Sequence, residues 1–166
     1  MTTRRLAAAI AGLTVFAFAA VLLRQPPLAV VRLVILGAAL GAVVETDLVT
    51  RRIPNRIVMP VAVACAAILV ASDVAMLALV EGLALVAGLL VLALTRPEAF
   101  GMGDVKLALL LVLGLDGRSP LALLLALALA GGFGVLLFVR FGREAGTRAL
   151  PLAPFFAAGA LLALTA

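Results

Sequence analysis

The chain is a succession of long apolar runs divided by short polar stretches, and the lengths of those runs predict its elements. A membrane-spanning helix needs about 20 apolar residues, with about 17 as a floor. The first such run extends from Leu6 to Leu23 and stops at Arg24-Gln25-Pro26-Pro27. The second runs from Leu28 to about Thr46, carries Arg32 near one end, and gives way to the polar stretch Asp47 to Arg56. Further spans are predicted over Ile57 to Ala71, closed by Ser72-Asp73, and over Val74 to Leu94. After Thr95 to Asp104 come a short fifth span, Val105 to Leu115, a sixth, Leu121 to Val139, and a seventh, Leu150 to Leu164. The third, fifth and seventh are short or interrupted by proline. The fifth reaches across a bilayer only if the glycine segment before it lies partly inside.

Composition fixes the class. Of 166 residues 66% are hydrophobic, and the mean hydropathy is +1.35. No water-soluble fold can hide that much apolar surface, so the expectation is an all-α, polytopic transmembrane bundle of six to seven spans. We read residues 1–166 as a single membrane-embedded domain. Trp, Tyr and His are absent, so Phe alone can anchor the chain at the interface, and histidine catalysis or metal ligation is excluded. The one cysteine, Cys65, lies in an apolar run and can form neither an internal disulfide nor a CxxC site. Neither a metal nor an organic cofactor is expected.

The net charge of +5 matters less than where it falls. With the N-terminus in the cytoplasm and seven alternating spans, the cytoplasmic side receives Arg4, Arg5, Arg51, Arg52, Arg56, Arg96, Lys106, Arg140, Arg143 and Arg148. The other side keeps Arg24, Arg32 and Arg118, the bias that orients membrane proteins. This spread over short loops gives little support to nucleic-acid binding. Arg4-Arg5 before an apolar run, with Ala17-Phe18-Ala19, also has the form of a cleavable signal. Because the run continues to Leu23, and because a kept first helix gives the charge bias, we expect the helix to be retained. Gly37 and Gly41 make a GxxxG face, suited to a dimer seam in a homo-oligomer or, more commonly, to packing within one bundle.

An acid inside a bilayer is costly and asks for an explanation. Asp73, Glu98, Asp116 and Glu144 fall in predicted loops, where water suffices. Glu45 is given no role. Glu81 lies within the fourth span, where a bundle-facing, paired or protonated acid is the ordinary case. Asp47 and Asp104 stand apart. Asp104 closes Gly101-Met102-Gly103-Asp104, whose glycines allow unusual backbone conformations and close approach by another chain. Asp47 ends the second span, Pro54 breaks any helix after it, and Asn55 can cap the third. Two carboxylates at similar depth on separate helices can share one proton, one activating water while the other polarises a carbonyl. The competing arrangement pairs Asp47 with Arg51 or Arg52, and Asp104 with Lys106, as interfacial ion pairs. Spacing alone does not separate the two.

Asp47 followed by Arg51-Arg52-Ile53-Pro54-Asn55, and then Gly101-Met102-Gly103-Asp104-Val105-Lys106-Leu107, resemble the two signature segments of the type IV prepilin peptidases, which are GxGD intramembrane aspartyl proteases. Pro151 to Ala160 resembles that family's last helix, so the likeness runs from the second span onward. The resemblance implies that Asp47 and Asp104 are catalytic, with Gly101, Gly103, Pro54 and Asn55 shaping the site. It implies a prepilin or pseudopilin substrate, with a basic leader and a hydrophobic helix, cut at the cytoplasmic face of the cytoplasmic membrane. Longer members carry an N-terminal segment with paired CxxC motifs and methylate the new terminus. No such segment precedes the spans here, so peptidase activity without methyl transfer is expected. The short form is similar to tight-adherence pilus and archaeal preflagellin peptidases, the former being preferred. Two other classes compete: a proton-coupled transporter relaying through Asp47, Glu81 and Asp104, and a non-enzymatic membrane subunit packing through its Gly/Ala faces.

Overall fold

The computed structural model describes residues 3–72, 75–97, 100–142 and 150–166. Asp73, Glu98, Arg143, Glu144 and Arg148, which the sequence assigns to loops, lie outside the described residues. The described chain is helical throughout, in the order α1 (Thr3–Leu22), α2 (Pro27–Thr50), α3 (Asn55–Val70), α4 (Met76–Thr95), α5 (Met102–Leu115), α6 (Ser119–Phe141) and α7 (Ala153–Thr165). One turn of 3-10 helix, Asp116–Arg118, joins α5 to α6. Each predicted span is thus a helix, and the all-α membrane class stands. By length and apolarity α1, α2 and α4 can each cross a bilayer, as can Met102–Phe141 taken as one run, while α3 and α7 are shorter.

The boundaries differ from the expected ones where polar residues stay helical. α2 continues four residues beyond Thr46, so Asp47 is within the helix and not in a polar connection. Thr46 and Thr50 are satisfied within the helix, each hydroxyl donating to a carbonyl one turn back, of Ala42 and Thr46, at 2.8 Å. Arg51 ends the helix in a left-handed conformation, with its N–H on the Asp47 carbonyl. α5 begins early and takes Met102, Gly103 and Asp104 into its first turn. α3 runs unbroken through Pro60, and Asn55 does not cap it: Pro54 holds the N-cap position and no side chain bonds the helix start.

α5 is the hub. Val105, Leu107, Ala108, Leu110, Leu111, Val112, Gly114 and Leu115 are all buried, and α2, α3, α4, α6 and α7 pack around them. One apolar cluster draws on all seven helices, from Phe16 through Leu36, Val58, Leu89, Leu111 and Leu123 to Phe156. Its centre is nevertheless a short rod. The 14 residues of α5 rise about 21 Å, against about 36 Å for the 24 residues of α2. α1 lies outside this ring and leans almost wholly on α2. Glycine permits that contact: a Cβ on Gly41 would overlap the Ala8 carbonyl oxygen, and one on Gly12 the Gly37 carbonyl oxygen. The GxxxG face is therefore taken up inside the chain.

Gly41→Ala should lower stability by about 1–3 kcal/mol through overpacking. Gly88→Ala, which meets nothing within 4 Å, should leave it unchanged or raise it by up to about 1 kcal/mol. Thermal unfolding in detergent distinguishes the two, and equal midpoints would show that α1 does not depend on this contact.

Candidate active site

The end of α2 and the beginnings of α3, α5 and α7 meet at one end of the bundle. Helix starts carry N–H groups without intrahelical acceptors, and both aspartates sit against such groups. Asp47, 6% exposed, lies about 4–5 Å inside the end of α2. Its Oδ2 accepts the N–H of Ala153, the first residue of α7, at 3.0 Å. A carboxylate at a helix N-terminus is favoured by the unpaired donors and by the helix dipole. Pro154 at the second position has no N–H, which concentrates the donor capacity of that turn on its neighbours.

Asp104 is the third residue of α5, and its Oδ2 accepts the N–H of Gly101, the residue at the N-cap position, at 3.2 Å. The two carboxylates come from separate helices, at the end of α2 and the start of α5, which lie at the same end of the bundle. Of the two uses the sequence offers for the glycines before Asp104, an unusual backbone conformation is not the one the structure makes of them. Gly101 has φ −83° and ψ 149°, an ordinary extended conformation, and Gly103 is helical. Close approach is what requires them. A Cβ on Gly103 would lie 3.1 Å from the Ile53 Cβ, and one on Gly101 would lie 3.1 Å from Asp104 Oδ2. The Ile53-Pro54-Asn55 segment thus seats directly against the glycine turn. Asn55, freed from capping, accepts a hydrogen bond from Lys106 Nζ at 3.1 Å through Oδ1, which ties α3 to α5 beside Asp104.

The ion pairs that competed with the dyad are not formed. Among the described residues the pairs within 4 Å are Arg5 with Glu45, at 3.4 Å, and Arg32 with Asp116, at 3.6 Å. Arg51 and Arg52 are exposed, and Lys106 is engaged with Asn55. Glu81 is exposed on α4, about 7–8 Å from the helix start, whose preceding residue Ala75 donates its N–H to Asp116 Oδ1 at 3.3 Å. That places Glu81 toward the end opposite the aspartates, out of line with them. Asp116 itself is not merely solvated, since it answers Arg32. Among the described residues no three acidic or thiol groups assemble a metal site.

Ala153 went unseen in the sequence as part of the site. The only signal for it was the Pro151-Leu152-Ala153-Pro154 start of the last helix, and nothing local says that this start meets a residue 106 positions earlier.

A helical membrane protein that gathers two carboxylates at the ends of its helices, each steadied by a backbone N–H, is the class defined by this fold and site. The chain belongs to the type IV leader peptidase family, whose model matches residues 33–139, from α2 to α6 with both aspartates included. It is accordingly a membrane peptidase. Comparison with curated proteins and with solved structures gave no significant match.

Asp47→Ala should cost about 1–3 kcal/mol by leaving the Ala153 N–H without an acceptor. Asp47→Asn keeps an acceptor oxygen and should cost clearly less. Equal unfolding midpoints for the two variants would show that the bond to α7 contributes nothing.

Proposed function

We propose that this protein is an aspartyl endopeptidase that removes the leader of type IV prepilins or pseudopilins, with Asp47 and Asp104 as its catalytic pair. The observation that carries this reading is that α2 and α5 bring their two carboxylates to the same end of the bundle, each bonded to a backbone N–H and with no cation paired to either among the described residues. Each carboxylate has its Oδ2 occupied by a backbone donor. The remaining oxygens are the ones free to hold a water and one shared proton. The ionised member takes a proton from the water as its oxygen attacks the scissile carbonyl. The protonated member donates to the carbonyl oxygen, and collapse of the tetrahedral intermediate expels the amine with a proton from the pair.

The substrate reading is supported by depth. Both acids lie within the first or last turn of a helix, where the leader of a substrate meets its membrane helix. Orientation is supported by charge: the helix ends at the aspartate end carry Arg4, Arg5, Arg51, Arg52, Arg56, Arg96, Lys106 and Arg140, and the other end carries Arg24, Arg32 and Arg118. The positive-inside rule then puts the aspartates at the cytoplasmic face of the cytoplasmic membrane. Methyl transfer is not part of the proposal, and a tight-adherence pilin is the preferred substrate.

Cleavage of a co-expressed prepilin, read as a gel shift, should fall by at least about a hundredfold in Asp47→Asn and in Asp104→Asn at unchanged membrane levels. Persistence in either variant would remove that aspartate from the mechanism. The pair must retain one proton to act, so the cleavage rate of purified protein should decline on the alkaline side as that proton is lost. A flat alkaline limb would count against the shared-proton mechanism.

A further inference from the structure

At the other end of α2, α3 and α5 the bundle holds a cavity of about 810 Å³. It lies between the start of α2 (Gln25 to Ala29, with Arg32), the end of α3 (Val70 to Ser72) and the turn Leu115 to Arg118. Its size is that of a small-molecule site. Arg32, in its wall, is only 4% exposed. Its Nε and Nη1 have no hydrogen-bond partner among the described residues, and Nη2 lies 3.6 Å from Asp116 Oδ2, beyond a proper hydrogen bond. A guanidinium this deeply buried and this poorly bonded is costly unless something else accepts from it.

The other donors at the cavity converge on the same kind of partner. α2 opens with Pro26 and Pro27, which have no N–H, and the N–H of Val30 goes to the Pro26 carbonyl. Leu28 and Ala29 line the cavity, and their N–H groups take no acceptor among the described residues. Arg118 adds a second guanidinium on the wall, against the single carboxylate of Asp116 among the described lining residues. Nε and Nη1 of Arg32 are enclosed in the wall, and once the guanidinium turns toward the cavity its fork of N–H groups, the helix N-terminus and the second arginine match a tetrahedral oxyanion.

We infer that this cavity is a phosphate-binding site, distinct from the peptidase site and at the opposite face. The phosphate is presented either by a phospholipid headgroup or as the free anion. Leu28, Val70 and Leu115 supply an apolar wall beside the donors, and the cavity lies at the ends of the spans, where headgroups sit.

The test uses the purified, delipidated full chain in neutral detergent, with thermal unfolding followed as inorganic phosphate, phosphatidylglycerol or phosphatidylcholine is added against sodium chloride of equal ionic strength. At least one phosphate carrier should raise the midpoint by about 4 °C at saturation. That rise should be lost in Arg32→Gln and at least halved in Arg118→Gln. A response to inorganic phosphate identifies the free anion, and a response to phospholipid alone identifies the headgroup. Should Arg32→Gln fail to fold, Arg118→Gln and the phospholipid retained by each protein in native mass spectrometry decide the matter. No carrier-dependent shift in the wild type, or shifts and lipid retention unchanged in Arg118→Gln, would overturn the assignment.

Discussion

In a hydrocarbon solvent every backbone N–H and C=O must find its partner within the protein, and a helix does this everywhere except in its first and last turns. That constraint organises the molecule. The middles of the helices are given mainly to apolar packing, and the aspartates and the Arg32–Asp116 pair lie toward the ends. Asp47 and Asp104 each spend one oxygen on a helix-start N–H, so the groups that the lipid would leave unsatisfied become the supports of the carboxylates. The bond from Ala153 also fastens the last helix to the second across the whole intervening fold.

α5 gives this arrangement its dimensions. Asp104 stands at one of its ends and Asp116 just past the other, and α2 presents Asp47 and Arg32 at matching levels. The same two helices therefore position both polar clusters, the acidic pair at one face and the arginine with its carboxylate at the other. Because α5 is buried along nearly its full length, a displacement of it would be felt at both clusters together.

Much of this was legible in the chain. The apolar runs were long enough to count, and the glycine-aspartate turn and the Asp47 to Asn55 segment were distinctive enough to single out the two aspartates and place them on one face. What was not legible came from two sources. Residues uniformly apolar around a helix say nothing about which face meets which neighbour, so the contact of Gly37 and Gly41 with α1 and the central place of α5 could not be read. Partners far apart in sequence were equally hidden, as with Ala153 for Asp47 and Asp116 for Arg32. Local rules also misled where a tertiary contact won. The Asn55 side chain went to Lys106 and not to its own helix, and α2 continued past the point where polarity suggested a stop, with its threonine hydroxyls satisfied inside the helix.

A central helix of 14 residues and a last helix of 13 both fall short of a hydrocarbon core about 30 Å thick. A bilayer meets such hydrophobic mismatch by thinning around the short element and letting polar headgroups and solvent move inward. Both short helices begin at the aspartates. α5, enclosed by its neighbours, presents little of that short length to lipid, so it is at α7, whose first residue bonds Asp47, that a thinned bilayer would bring headgroups and solvent toward the acids.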